Sequence, residues 1–164
     1  MPNAKKNNKW KRAFKEKFSE LSHKWEMVVV QNGQKQDSVK DDMKTCKFKS
    51  KTKFECRKCK HAWTSLFAMV VFQFKLRRNV HGEVKMHLIG QLCKKCSSDV
   101  YERPMWSEEQ ISAAMARLRQ RVNEAYYGAE KPRNRSKKKE KNNMRGPHIQ
   151  DLCEACALGV CTRS

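Results

Sequence analysis

Cys56-Arg57-Lys58-Cys59, Cys93-Lys94-Lys95-Cys96 and Cys153-Glu154-Ala155-Cys156 form a ladder of three spaced pairs, with Cys161 beyond them. Two cysteines separated by two residues fit on one tight turn, so both sulfurs can reach a single ion. A structural zinc ion takes four such ligands in a tetrahedron, at about 2.3 Å per Zn–S bond. The ladder holds seven cysteines, and His148 stands five positions before Cys153. Histidine and cysteines together make eight ligands, enough for two closed tetrahedral sites. One CxxC is weak evidence; three in one chain are strong.

The spacing leaves the pairing open. The local arrangement puts Cys56, Cys59, Cys93 and Cys96 on one zinc and His148, Cys153, Cys156 and Cys161 on the other. A crossed arrangement would bring Cys56 and Cys59 to Cys153 and Cys156. His61, two residues after Cys59, is the alternative to His148. Cys46 stands outside the ladder and reads as a free thiol. His23, His81 and His87 have no ligand neighbours and read as solvated.

The chain has 164 residues, of which 38% are hydrophobic and 33% charged. That is poor in core-forming material for one domain of this length. A structural zinc contributes about 10–16 kcal/mol in finger peptides. Whole domains are stable by only about 5–15 kcal/mol, so the metal-free chain is expected to be largely unfolded. The start, Met1 to Trp10, is polar and basic, without the apolar run of about 7–15 residues that a secretory signal carries. The longest apolar run, Leu66 to Phe72, falls short of the roughly 20 residues of a membrane span. A cytoplasmic location follows as the expectation, and with it reduced thiols, which favours metal over disulfides.

Residues 1–9 read as a basic disordered tail, and 10–161 as a single domain. Trp10, Phe14, Phe18, Leu21 and Trp25 recur at helical spacing. The helix they define either docks on the domain's own sheet, or lies on an anionic membrane surface or grips a partner helix. Glu26 to Val30 reads as a short strand, Asn32-Gly33 as a turn and Lys35 to Lys44 as a loop. Phe48 to Phe54 alternates into Cys56. Trp63 to Arg77 is the longest strand candidate, with Leu66, Ala68, Val70, Phe72, Phe74 and Leu76 on one face. Phe67, Met69 and Val71 fill the other face of its first half. Asn79-Val80-His81-Gly82 reads as a turn. In the return strand Val84, Met86 and Leu88 point inward, and Glu83, Lys85 and His87 outward. A long hairpin thus joins the first cysteine pair to the second, a layout resembling a zinc ribbon. Ser107 with Gln110 forms a capping-box signal, Ile111, Met115, Leu118, Val122 and Tyr126 give a second helix, and Gly128 ends it. The expected fold is α+β, a small antiparallel zinc-ribbon-like sheet packed by two amphipathic helices and closed by two structural zinc ions.

The net charge is +20, from 37 basic and 17 acidic residues. Such a chain suits nucleic acid, anionic lipid or acidic protein partners. Lys131 to Arg145 holds eight basic residues and one acidic, lacks apolar periodicity and reads as a mobile loop. Arg133, Arg135, Lys137, Lys138 and Lys139 are its candidate contacts for nucleic acid or lipid. Trp10, Trp63, Tyr126 and Tyr127 are candidate stacking rings for single strands.

Phe54-x-Cys56-x-x-Cys59 with Trp63, Gly90-Gln91-x-Cys93-x-x-Cys96, and His148-x4-Cys153-Glu154-x-Cys156-x-x-Gly159-x-Cys161 resemble the 3CxxC-type zinc-finger domain. The Trp10/Phe14 helix and the Trp106-Ser107 helix start further resemble the receptor-transporting protein family. That resemblance implies accessory proteins that bring odorant, taste or other G-protein-coupled receptors to the cell surface. It also implies an antiviral branch that binds RNA; the more distant zygote arrest proteins carry a similar finger that binds messenger RNA. Members commonly end in an apolar anchoring segment, whereas only Thr162-Arg163-Ser164 follows Cys161 here. The expectation is therefore peripheral association with the endoplasmic reticulum or plasma membrane, without an anchor.

Catalysis is not expected, nor a small-molecule substrate, because zinc with four thiolates has no open position for water. His81-Gly82-Glu83 followed by Cys93-x-x-Cys96 faintly echoes a nucleobase-deaminase signature. Leu92 stands where that signature has proline, and His81 falls in a turn.

Overall fold

The structure, a computed structural model, describes residues 2–30, 43–96, 100–128 and 154. The Asn32-Gly33 turn, nearly all of the loop after it, the basic loop at 131–145, and His148, Cys153, Cys156 and Cys161 lie outside them. The element order is α1 (Pro2–Phe18), β1 (Lys24–Val29), β2 (Lys44–Glu55), β3 (Ala62–Arg77), β4 (His81–Leu88) and α2 (Glu108–Tyr126). The four strands form one sheet in the order β1-β4-β3-β2.

Helix α1 begins at Pro2, so the stretch read as a disordered tail forms its first turns. Proline suits the first helical position because the missing N–H would have no partner there. Trp10, Phe14 and Phe18 are buried in the core. The stripe of Trp10, Phe14 and Phe18 is thus covered by the domain itself and is not free for a bilayer. Helix α2 opens as its sequence predicts. The Ser107 hydroxyl accepts the Gln110 N–H at 3.2 Å, and the Gln110 side chain accepts the Ser107 N–H at 3.1 Å. Ile111, Ala114, Met115, Leu118 and Val122 face the core, and Gly128 follows the last turn at φ +67°. Among the described residues no helix is long and apolar enough to cross a membrane.

The sheet is mixed, not antiparallel throughout. β2, β3 and β4 form an antiparallel meander, and β1 adds to the free edge of β4 in parallel. Trp25 pairs with Gly82 in that register, and a Cβ on Gly82 would collide with the indole. Gly82 therefore serves packing and not the turn. Arg78 and Asn79 make the turn, at φ 51° and 53°, with the Val80 N–H on the Arg77 carbonyl at 3.0 Å.

The one-face reading of β3 holds only from Ala68 onward. Ser50 pairs with Ala68 but Thr52 with Ser65, so two residues of β3, Leu66 and Phe67, oppose one of β2, Lys51. This bulge reverses the alternation. Leu66 leaves the inner face, and Trp63 joins Phe54 on it, the rings stacked at 5.4 Å and 5°.

Both helices contact the face carrying Cys46, Phe54, Val70, Phe72, Phe74, Val84 and Met86. Cys46 is a free, buried thiol, pushed up in pKa by desolvation, with Arg117 and Arg121 of α2 partly offsetting it. His87 is not solvated. It is 8% exposed on the opposite face, next to its cross-strand partner Val71, and its ring meets Gln73 Oε1 at 3.3 Å. Burial, then Lys85, holds its pKa below the ordinary histidine value.

Candidate metal centre

The hairpin of β3 and β4 returns the chain to the end from which it left, so the turn before β3 meets the turn after β4. Cys56, Cys59, Cys93 and Cys96 converge there, with all four sulfurs within 4.8 Å of one another. Cys56 Sγ lies 3.5 Å from Cys96 Sγ, and Cys59 Sγ 3.6 Å from Cys93 Sγ. Four sulfurs about 2.3 Å from a central zinc stand about 3.8 Å apart in a tetrahedron. The observed spacing fits that ion with little adjustment. It is the one such cluster among the described residues. His61 is not part of it; its ring stacks on Trp63 at 5.8 Å.

Backbone geometry sets the first turn as a metal knuckle. The Lys60 N–H reaches the Cys56 carbonyl at 2.9 Å, and the Cys56 N–H reaches the His61 carbonyl at 2.8 Å. Closing this loop forces Lys60 to φ +60°. The backbone N–H of Cys59 bonds the Cys56 sulfur and, against the opposing effect of burial, helps lower its pKa to about 7. A thiol so poised loses its proton readily to a metal.

Side chains around the cluster lock the two knuckles together. Trp63 Nε1 donates to Gln91 Oε1 at 3.0 Å, and Gln91 Nε2 donates to Ser65 Oγ at 2.8 Å. Glu102, 5% exposed, accepts the Arg57 backbone N–H at 3.2 Å and faces its guanidinium at 3.3 Å. Glu102 also exchanges backbone hydrogen bonds with Gln91, at 3.1 and 2.7 Å. Gly90 lies so close to the Glu102 carbonyl and Tyr101 that a side chain would not fit.

Glu154 is the described member of the third cysteine segment. Its carboxylate accepts the Gly90 N–H at 3.1 Å and pairs with Arg103 at 2.8 Å, and its own N–H donates to the Gly90 carbonyl at 3.2 Å. The sequence pattern marked Glu154 only as a motif residue. Its partner Arg103 and the carboxylate of Glu102 carry no spacing signal at all. The remaining ligand candidates and Arg133, Arg135, Lys137, Lys138 and Lys139 lie outside the described residues. The candidate stacking rings are occupied internally. Trp10 is buried, Trp63 is stacked, Tyr126 packs on the core, and Tyr127 OH meets His23 Nδ1 at 2.8 Å.

A four-thiol cluster at the base of a hairpin, with both ligand pairs on tight turns, defines a zinc-ribbon protein. Residues 49–159 match the family model of the 3CxxC zinc ribbon, a zinc-binding domain. The chain belongs to that family. It is 27% identical over 160 residues to Receptor-transporting protein 4 of Homo sapiens, covering 93% of this chain and 63% of that protein. It is 32% identical over 109 residues to Receptor-transporting protein 4 of Mus musculus, covering 65% and 44%. It is 25% identical over 156 residues to Receptor-transporting protein 1 of Homo sapiens, covering 93% and 59%. The chain thus spans less than two thirds of the length of these relatives. No solved structure matches it.

Proposed function

We propose that this chain is a non-catalytic zinc-binding accessory protein that promotes folding or surface delivery of membrane receptors, G-protein-coupled chemosensory receptors among them. The observation that carries this reading is a 3CxxC domain whose curated relatives bear the name receptor-transporting protein. Cys56, Cys59, Cys93 and Cys96 hold one zinc, and His148, Cys153, Cys156 and Cys161 a second. A zinc ion held by four protein ligands keeps no position for water, so the metal braces the fold and performs no hydrolysis. Binding of RNA draws support from the +20 charge alone, since the rings considered for stacking are engaged within the fold.

Co-expression with several receptors tests the proposal. Wild type should raise receptor surface level, and Cys59→Ser with Cys96→Ser should abolish the gain together with one zinc in native mass spectrometry. Unchanged surface levels across the receptors, with zinc bound, would sink it.

A further inference from the structure

The two knuckles carry their own charges into one place. Arg57, Lys58 and Lys60 belong to the first turn, Lys94 and Lys95 to the second, and all are exposed. Thirty-odd residues separate them in sequence, but the face-to-face sulfurs bring both turns to one tip. Arg57 is matched by Glu102. The four lysines and the exposed Lys53 have Glu55 as the one acidic residue among them on these turns and the adjoining strand end. A zinc tetrathiolate is a dianion, and the tip keeps a net positive charge even after that is set against it.

The segment after the second knuckle adds apolar groups. Glu102 bridges to Gln91, and Met105 bridges to Lys53 with its N–H on the Lys53 carbonyl at 2.8 Å. The segment therefore runs along the stems of both knuckles. It exposes Val100 at 47% and Met105 at 38%, two of the four large apolar residues most open to solvent among the described residues.

We infer that this tip docks on an anionic membrane surface, with Lys58, Lys60, Lys94 and Lys95 on headgroup phosphates and Val100 and Met105 entering the headgroup layer. Clustered lysines beside short apolar projections match a bilayer interface, where cations meet phosphate and side-chain carbons leave water. Three observations favour lipid over a single-stranded nucleic acid. The indole of the tip is not a free stacking platform for bases, because Trp63 is engaged by Phe54, His61 and Gln91. The unmatched cations are lysines, point charges suited to mobile headgroups, and the one arginine is paired. Helix α1, the other candidate for membrane contact, has its apolar stripe in the core. The inference deepens the accessory role proposed above by giving it a membrane partner.

The zinc-loaded full chain is floated with phosphatidylcholine vesicles, with and without phosphatidylserine. It should rise only with the anionic vesicles, and high salt should release it. A combined Lys58→Glu, Lys94→Glu, Lys95→Glu variant should lose partitioning about tenfold or more while keeping the wild-type zinc count. Met105→Ser, which touches no ligand, should lose about threefold. Lys137→Glu, Lys138→Glu, Lys139→Glu should stay within about twofold of wild type. Equal binding by the tip variant, equal binding to neutral vesicles, or tight binding of an RNA oligonucleotide with none to vesicles overturns the inference. If wild type raises receptor delivery yet never floats, the docking tip is wrong and the accessory role stands. If it floats as described but moves no receptor, the tip stands and the accessory role falls.

Discussion

The indole N–H of Trp63 donates to Gln91 Oε1 at 3.0 Å, joining the start of β3, just past the first knuckle, to the stretch leading into the second. Neither touches metal, yet the bond fixes how far apart the two turns stand. Gln91→Ala would leave a half-buried indole donor without a partner. An orphaned donor of this kind costs about 1–3 kcal/mol. Zinc affinity by chelator competition and the thermal midpoint should both fall. A drop in stability with unchanged zinc affinity would show that the bond does not set the knuckle spacing.

Gly90 is enclosed by the Glu102 carbonyl, Tyr101 and the Glu154 carboxylate. Gly90→Ala must push one of them away, and overpacking of this sort costs about 1–3 kcal/mol. The displaced group should be Glu154, which stands outside the sheet and is held by its carboxylate bonds and one backbone bond to Gly90. Limited proteolysis should then cut the C-terminal segment faster than in wild type. An unchanged cleavage rate would mean that the glycine is not needed for docking that segment.

Lys60 holds a left-handed conformation, φ +60°, because the knuckle bonds demand it. For a residue with a Cβ this costs about 1–2 kcal/mol, whereas glycine adopts it freely but loses about 0.5–1 kcal/mol through its looser unfolded chain. Lys60→Gly should therefore raise stability by up to about 1.5 kcal/mol, read from urea unfolding with zinc saturating. A clear loss would show that the lysine side chain supports the turn.

His87 should make the fold acid-sensitive. Its folded pKa lies below the ordinary value of 6.5 because burial, then Lys85, disfavours the charged ring. In the unfolded chain the ring protonates first, so the unfolded state binds more protons as pH falls through 6.5. The stabilisation is complete above that pH and declines below it, towards the folded pKa. Zinc release adds its own acid sensitivity, so the comparison is between wild type and His87→Gln at matched zinc occupancy. Between pH 7.5 and 5.5 wild type should lose more stability than the variant; parallel curves would remove His87 as the cause.

Much of this fold can be read from residue patterns, because the patterns are local. The capping box at Ser107 and Gln110 needs only three residues of spacing, and the structure forms both of its bonds. The helical stripe of Trp10, Phe14 and Phe18 and the alternation of Val84 and Met86 each follow from one periodicity, and each faces the core. The reading failed where a second strand had to be known. The reversal of β3 before Ala68 comes from a bulge against β2, and the burial of His87 comes from its place beside Val71. The parallel seat of β1 depends on the fit of Trp25 over Gly82.

By itself the sequence determined the chemistry on offer: paired cysteines, a basic surface and too little apolar material for a large core. Tertiary structure alone decided that the turns at Cys56 and Cys93 face each other at 3.5 and 3.6 Å, that Gln91 meets Trp63, and that Glu154 meets Gly90 and Arg103. Spacing along a chain determines what one turn can hold. Which turns share a site depends on the length, twist and bulge of the strands between them, and those are settled only when the sheet closes.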